Sequence, residues 1–185
     1  MSETINILRL LFTFSNDCKW SSHINNIYNS ATKQISVLRK FKYIFCRNNL
    51  NIIYLSYSLP LLEYSCELWD AVVLGMQINW NAARIIIGLP IFGSRESLYF
   101  ETGWESLETR RNWRKLSLFH EIHNNKAPGY MIECLSDYSN VGNYNLRNQT
   151  HYRVPRCRLE TFSKSFFPSS IRSWNSLDTD ISSVP

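Results

Sequence analysis

A single stripe of apolar residues constrains the fold of this chain more than any other feature. Its members recur at offsets of three and four residues: Ile24, Ile27, Tyr28, Ala31, Ile35 and Leu38. Such spacing places side chains on one face of an α-helix, and asparagine, lysine and glutamine occupy the opposite face. An amphipathic helix is stabilised mainly by packing its apolar face against other elements. The sequence therefore predicts a mainly α fold, with this stripe buried against the second and fifth helices of the chain.

Six further helices are predicted from the same periodicity and from their terminal residues. Their ranges are 50–69 with a kink at Pro60, 77–87, 95–102, 105–124, 130–135 and 168–177. The predicted caps are Ser21 or Ser22, Asn48 or Asn49, Gly88 and Ser94. The residues predicted to be buried on the helix over 105–124 are Leu107, Trp113, Leu116, Phe119 and Ile122. Residues 5–14 favour a strand followed by a turn at 15–17, and residues 152–159 favour extended structure.

Length and composition suit a folded protein with one good-sized domain or two small ones. The chain has 185 residues, of which 44% are hydrophobic and 14% aromatic, too apolar for a disordered tail. Asn, Ser and Tyr dominate residues 136–150, which is typical of a linker. We therefore divide the chain into a strand and turn over residues 1–20, a helical domain over 21–135, a linker over 136–150 and a small C-terminal extension over 151–185.

Positive charge is concentrated in three places, although the net charge is only +5. The segment 33–47 contains no acidic residue, and its cations are Lys33, Arg39, Lys40, Lys42 and Arg47. The helix over 105–124 carries Arg110, Arg111, Arg114 and Lys115. The C-terminal part carries Arg147, Arg153, Arg156 and Arg158, with Lys164 and Arg172 beyond them. Clustered cations between tyrosines and phenylalanines are candidates for nucleic-acid phosphate contacts. The alternatives are ordinary solvated faces and, on the helix, intrahelical pairing with Glu108.

Three other groups of residues resemble catalytic or metal sites more weakly. They are the carboxylates Glu63, Glu67 and Asp70, the zinc-type ligands His120, His123 and Cys134, and the pair Asp178 and Asp180. A solvated helix face explains the carboxylates more simply, and the histidines lack the usual spacing of a zinc motif. The sequence contains no glycine-rich phosphate loop and no adjacent aspartate pair for two-metal phosphoryl transfer. We therefore expect no catalytic residue, no metal, no cofactor and no small-molecule substrate.

Cysteine usage and hydropathy indicate an intracellular protein, in the nucleus or the cytoplasm. The five cysteines include no CxxC pair, which favours reduced thiols over a disulfide framework or a zinc ribbon. The apolar start of the chain lacks the basic leader of a signal peptide. The longest apolar-rich stretch, residues 52–62, is far shorter than the roughly 20 residues of a membrane span. No membrane partner is expected.

Five phrases, most of them centred on tryptophan, follow one another in a fixed order. They are Trp20-Ser-Ser-His23-Ile24, Leu59-Pro-Leu-Leu-Glu-Tyr64 continuing to Leu68-Trp69, Gln77 to Arg84-Ile-Ile-Ile-Gly88, Glu101-Thr-Gly-Trp104 with Arg110-Arg111, and Trp174-Asn175-Ser-Leu177. In this order they resemble the region downstream of the polymerase palm in jockey-type (non-LTR, LINE-like) retrotransposon reverse transcriptases. The resemblance extends from about Phe14 to Pro185, and the catalytic Ala-Asp-Asp box of such a palm does not occur in this sequence.

The resemblance implies a helical thumb-like bundle with a small extended or β element at its C-terminal end. Residues 1–20 would be the remnant of a palm-side strand, and residues 151–185 the extension. Thumb helices hold a template–primer duplex through backbone contacts and shape. The implied partner is therefore RNA or an RNA–DNA duplex, bound without catalysis. The alternatives are an all-α interaction or structural module, which meets a reverse-transcriptase palm or itself through exposed apolar surface, and a relic without function.

The sequence departs from the family pattern in three places. Residues 1–10 lack the Leu-Gly step that usually leaves the palm. The segment between Trp69 and Gln77 is shorter than usual, which implies a shortened third helix. The chain also stops at Pro185, where related sequences continue. Together these departures imply a truncated copy of a transposable element.

Overall fold

The chain folds mainly into α-helices, as the periodicity of its sequence predicts. The structure is a computed structural model that describes residues 4–7, 12–15, 20–69, 73–88, 94–136, 138 and 152–177. Its contacts divide the chain into two compact units, Met1–Thr109 (unit 1) and Arg110–Pro185 (unit 2). The domain limits derived from the sequence, at residues 20, 135 and 150, stay predictions.

Two short strands form an antiparallel pair at the start of unit 1. Strand β1 (Thr4–Ile7) pairs with β2 (Phe12–Ser15), so that Ile5 lies opposite Phe14. The prediction of one strand over residues 5–14 is therefore wrong, and Ser15 belongs to a strand, not to a turn. Loose alternation of apolar residues favours extended structure but does not indicate where the chain reverses direction. Pairing within the same segment satisfies the backbone N–H and C=O groups on the facing edges of the two strands.

The apolar stripe lies on helix α1 (Ser21–Phe41) and forms the centre of the unit 1 core. Its buried or core-packed members are Ile27, Tyr28, Ala31, Ile35 and Leu38. The predicted helix is thus confirmed, and so is its apolar face except for Ile24, which is half-buried and lies outside this core. The predicted caps are wrong, because the helix begins directly after Trp20, makes no side-chain cap hydrogen bond and includes both serines in its first turn.

Helix α1 packs chiefly against α5 (Val73–Ile87) and, to a smaller extent, against the segment from residue 47 to residue 63. The second predicted helix is therefore confirmed as a partner. The largest contact is made by the third predicted helix, not by the fifth, which contributes Leu107 to the same core. Periodicity identifies which face of a helix is buried, but it does not identify the element that covers that face.

The second predicted helix is interrupted twice. It consists of α2 (Arg47–Ile53), a π-helical turn (Tyr54–Ser58), α3 (Leu59–Glu63) and α4 (Cys66–Trp69). The π-helical turn directly precedes α3, in whose first turn Pro60 lies, and it accommodates the missing N–H and the bulk of the proline ring. The second break lies at Ser65, whose φ of 47° ends the helical path. Cys46, not Asn48 or Asn49, occupies the N-cap position of α2.

The C-terminal end of α5 and the N-terminal start of α6 (Arg95–Thr102) lie where the sequence predicts them. Gly88 ends α5 with a φ of 82°, and its N–H donates to the carbonyl of Arg84 at 2.8 Å. Ser94 caps α6 by accepting a hydrogen bond from the N–H of Ser97 at 3.1 Å. A positive φ is accessible to glycine at little cost, and a serine oxygen satisfies an unpaired helix N–H. Only the start of α5 differs, since this helix begins four residues before the predicted Gln77.

Tryptophan and tyrosine side chains join the helices of unit 1 through buried and partly buried polar contacts. The hydroxyl of Tyr54 donates to Oδ1 of Asn79 on α5 at 2.8 Å. The indole N–H of Trp104 donates to Oδ1 of Asn51 on α2 at 2.9 Å, and its ring stacks on Tyr54 with centroids 4.6 Å apart. Satisfied polar groups of this kind fix the relative positions of α2, the π-helical turn and α5.

Unit 2 packs around one aromatic core. Its helices are α7 (Leu107–His123), which starts in unit 1, α8 (Gly129–Ser136), α9 (Glu160–Ser163) and α10 (Phe166–Asn175). The buried core residues are Phe119, Ile122, Leu135, Ile171 and Trp174. The predicted helices over 105–124, 130–135 and 168–177 are confirmed with small shifts in their ends, and Pro168 is the third residue of α10, not its first. Residues 152–157 contain neither helix nor strand, so the predicted C-terminal β element is not confirmed in the described residues.

The irregular segment at Tyr152 is held in place by Asn175 on α10. Oδ1 of Asn175 accepts from the N–H of Tyr152 at 3.0 Å, and its Nδ2 donates to the carbonyl of Tyr152 at 2.8 Å. The side-chain amide thus makes both of the hydrogen bonds that a neighbouring strand would make. No β partner is needed to order this part of the chain, which explains how an extended-looking sequence is ordered without a sheet.

Candidate nucleic-acid interface

The first cluster of cations lies on one continuous stretch of unit 1. We call it the α1–α2 basic surface, and its residues are Lys33, Arg39, Lys40, Lys42 and Arg47. All five are exposed, and the segment that contains them has no acidic residue. Among the residues that the structure describes, none forms an ion pair with the first four. Their charge is therefore open to solvent and to an anionic partner.

The geometry of α1 sets the spacing of these charges. Lys33 and Lys40 are seven residues apart, so they lie on the same face, about 10.5 Å from each other along the axis. Arg39 and Lys40 occupy the last turn of the helix, where cations also stabilise the negative end of the helix dipole. That stabilisation is the alternative role for these two residues. It does not account for Lys33 in the middle of the helix.

Arg47 differs from the other four cations because it is already engaged. Its guanidinium group lies 3.6 Å from a carboxylate oxygen of Glu101 on α6 and donates a hydrogen bond to the backbone carbonyl of the same residue. Both side chains are about half exposed, so the pair contributes little to stability. A nucleic-acid phosphate would have to compete with Glu101 for this arginine.

The turn between α1 and α2 contains exposed apolar side chains that the sequence did not indicate. Tyr43 is 87% exposed and Ile44 is 72% exposed, directly after Lys42. Phe45 packs edge-on against Phe41, with ring centroids 5.3 Å apart. A short apolar stretch such as this one is usually expected to be buried in the core. Only its position next to three cations could have indicated that these side chains are exposed.

Helix α7 does not place its four predicted cations on one surface. Arg111 and Lys115 are buried, at 3% and 6% exposure, whereas Arg114 is exposed and Arg110 is half-buried. Trp113, which the sequence predicted to be buried, is 57% exposed. The reason is the phase of the helix. Residues 107, 111, 115, 119 and 122 follow spacings of four, four, four and three, so the buried face passes through both cations and not through the tryptophan. Arg111 and Lys115 are therefore not available as surface phosphate contacts.

The third group of predicted contacts is only partly described. Arg153, Arg156 and Arg158 are exposed and form no ion pair with any residue in the described ranges, and Arg147 lies outside those ranges. The two cations further along are already engaged. Lys164 lies 2.7 Å from the carboxylate of Glu160, whose pKa it lowers by hydrogen bonding and by its charge, and Arg172 donates to the carbonyl of Ser163.

The weaker candidate sites are not assembled within the described residues. Glu63 is buried and Glu67 is half-buried, so these carboxylates do not form the exposed stripe that their spacing suggested, and Asp70 lies outside the described residues. Within the described part of the chain, no three histidine, cysteine or acidic side chains are placed to hold a metal ion. Cys134 is exposed, and the histidine rings make other contacts. Asp178 and Asp180 also lie outside the described residues.

His123 lies in an aromatic environment that disfavours its charged form. Its Nδ1 is 2.6 Å from the hydroxyl of Tyr152, and its ring centroid is 5.2 Å from that of Trp174. Burial lowers the pKa of His123 below the ordinary value of 6.5, and the charge of His120 lowers it further. Burial also raises the pKa of Tyr152. The neutral imidazole is therefore favoured at this position at the exposed edge of the unit 2 core.

The lowered pKa of His123 predicts that unit 2 becomes less stable in acid. The unfolded chain binds a proton at His123 more readily than the folded chain does, so stability rises with pH. The contribution of His123 is fully present above about pH 6.5 and is lost as the pH falls from there through the lower folded pKa. Urea unfolding of the wild type and of His123→Gln, each at about pH 7.5 and pH 5, measures this contribution. The variant is expected to lose less stability on acidification, and an equal loss in both proteins would contradict the assignment.

Comparisons of the chain with protein-family models, with curated proteins and with solved structures returned no match. None of the helices in the described ranges has the length and apolar character that crossing a membrane requires.

Proposed function

We propose that this chain is a non-catalytic fragment of a retrotransposon RNA-directed DNA polymerase that binds the backbone of a template–primer duplex weakly and without sequence specificity. One observation carries the proposal. Lys33, Arg39, Lys40 and Lys42 are exposed, lie in a segment without acidic residues and have no ion-pair partner among the described residues. In this proposal, the helices of unit 1 are the thumb-like bundle, and the resemblance of the five phrases supplies the polymerase family.

The physical basis of binding is the release of counterions from nucleic acid. Each phosphate that a lysine or arginine neutralises releases condensed counterions, and this term does not depend on base sequence. The cations are held on a stable support, because the opposite face of α1 contributes Ile35 and Leu38 to the core. Four surface charges support only modest affinity at physiological salt, which is why the proposal specifies weak binding.

A second candidate function is an interaction module that binds a reverse-transcriptase palm or another copy of this chain. Specific side chains favour it: Ile52 and Leu55 on α2 and the π-helical turn are exposed, as is Tyr57. Exposed apolar side chains grouped on one segment are typical of surfaces that meet other proteins. This candidate predicts association that persists at high salt, whereas the first candidate predicts binding that salt weakens.

Replacing Arg39, Lys40 and Lys42 together with Ala is expected to weaken binding to every duplex sequence alike. The log–log dependence of affinity on salt should become shallower by about 2 to 3, because about 0.7–0.9 is lost for each phosphate contact removed. Fluorescence anisotropy with labelled RNA–DNA and DNA duplexes over a range of salt concentrations measures both quantities. The control for net charge replaces the exposed cations Arg95, Lys126 and Lys164, which lie outside the α1–α2 basic surface. Because Arg95 lies over the ring of Trp80 and Lys164 pairs with Glu160, circular dichroism checks that this variant is folded.

Two outcomes would contradict this assignment. Equal effects of the two triple variants would mean that net charge, not the α1–α2 basic surface, determines affinity. Failure of the wild type to bind any duplex at low salt would overturn the proposed function and favour the interaction module.

No nucleotide incorporation is expected from this chain. Two-metal phosphoryl transfer requires carboxylates clustered about a shared pair of ions, and the sequence has no adjacent aspartate pair. The measurement is primer extension with primed template, deoxynucleotides, and magnesium or manganese. Incorporation that persists in an independently purified preparation, and is absent from a mock purification, would contradict the proposal that the fragment is non-catalytic.

A further inference from the structure

We propose that Tyr43 stacks on an unpaired base, so that the turn between α1 and α2 binds single-stranded nucleic acid next to the phosphate contacts of the α1–α2 basic surface. The inference rests on the proposed function, because the neighbouring cations supply the attraction for the backbone. It goes beyond that function by naming a second class of ligand, an unpaired strand, and the side chain that recognises it.

The first observation is an exposed ring on an ordered turn. Tyr43 is 87% exposed, so both faces of its ring are open to solvent. The backbone on either side is fixed. The N–H of Lys42 donates to the carbonyl of Leu38 at 3.1 Å, and the N–H groups of Ile44 and Phe45 both donate to the carbonyl of Phe41 at 2.9 Å. Phe41 in turn packs against the core of unit 1. A ring held outward by a fixed backbone can stack on a base with little loss of conformational freedom.

The second observation is the charge around this ring. Lys40 and Lys42 lie within three residues of Tyr43, and both are exposed. The ammonium group of Lys42 is 3.9 Å from where a Cβ on Gly88 would lie, which places it at the C-terminal end of α5. Aromatic side chains interleaved with cations are the pattern by which proteins hold single strands without reading their sequence, since every base has a face on which to stack.

Charge and shape together favour a nucleic acid over a lipid surface. A helix that lies on a membrane presents an exposed apolar face opposite its charged face. Here the exposed face of α1 is polar and charged, and the exposed apolar side chains of the turn are confined to residues 43–45. One aromatic ring beside several cations suits a single base and its adjacent phosphates better than it suits a bilayer.

The experiment compares two single-stranded probes that have equal numbers of phosphates. One is a labelled oligothymidylate of roughly 12 nucleotides, and the other is an abasic oligonucleotide of the same length. Binding is measured at low salt for the wild type, Tyr43→Ala, Tyr43→Trp and the control Tyr57→Ala. Tyr57 is an exposed tyrosine of the same unit outside the basic segment. Because Tyr43 is almost fully exposed, its replacement is not expected to disturb folding.

Tyr43→Ala is expected to bind oligothymidylate about 5- to 10-fold more weakly, at the lower end of what one stacked base contributes. Tyr43→Trp and Tyr57→Ala should bind as the wild type does, and no variant should differ on the abasic probe. Unchanged binding of Tyr43→Ala to oligothymidylate, or an equal loss on both probes, would overturn the stacking while leaving the basic surface in place. Binding of the wild type to phosphatidylcholine–phosphatidylserine vesicles, but to neither oligonucleotide, would overturn this inference, whereas the duplex measurement described above tests the proposed function separately.

Discussion

Replacing Ile35 with Asp is expected to unfold unit 1. Ile35 is buried at the centre of the α1 stripe, between Ala31 and Leu38. The substitution removes a core side chain, which costs about 2–5 kcal/mol, and places a carboxylate where nothing solvates it. A total of more than about 4–5 kcal/mol is comparable with the whole stability of a small domain. Far-ultraviolet circular dichroism and urea unfolding measure the loss of helix and of stability.

The matched control for this substitution is Val37→Asp. Val37 lies two residues further along α1 and is about half exposed, so its carboxylate remains in water and the free energy of unfolding should change by less than about 0.5 kcal/mol. Because both variants add the same charge to the same helix, the difference between them reports burial alone. Wild-type stability in Ile35→Asp would mean that the stripe is not the core of unit 1.

The periodic parts of the fold could be predicted because their stabilisation is repetitive. Helix α1 is predicted by its apolar stripe, the end of α5 by a glycine with positive φ, and the start of α6 by a serine cap. Each of these signals is carried by residues close together in the sequence. The break at Ser65 could not be predicted in the same way. It is stabilised in part by the indole N–H of Trp69, which donates to the carbonyl of Tyr64 at 2.9 Å, and the primary sequence does not specify such a side-chain contact.

The candidate site could be predicted only in its charge pattern. The absence of acidic residues from segment 33–47 is visible in the sequence, and the structure shows its five cations to be exposed. The accessibility of the four cations on α7 could not be predicted, because a helix that carries both Trp113 and Arg111 can be rotated to bury either one. Hydrophobicity favoured the tryptophan, whereas the spacing shared by Leu107, Phe119 and Ile122 places the arginine on the buried face.

Replacing Trp174 with Ala is expected to destabilise unit 2 by about 3–5 kcal/mol, because a large buried ring leaves a cavity that the surrounding side chains fill only partly. Trp174 is buried on α10, with its ring centroid 5.1 Å from that of Phe119 and 5.2 Å from that of His123. Trp174 contacts the ring of the exposed His123, and loss of this contact removes part of the desolvation, so the pKa of His123 should rise towards its ordinary value. Hydrogen exchange of the α10 amides measures the stability, and an NMR titration of the imidazole measures the pKa.

Trp113→Ala is the control that decides whether the phase of α7 is correct. Trp113 is exposed on the same helix as Phe119, so its replacement removes a ring of equal size without opening a cavity, and stability should change by less than about 0.5 kcal/mol. The pKa of His123 should also remain where it is in the wild type. If Trp113→Ala were instead as damaging as Trp174→Ala, the buried face of α7 would include the tryptophan, and Arg111 and Lys115 would return to the surface as candidate phosphate contacts.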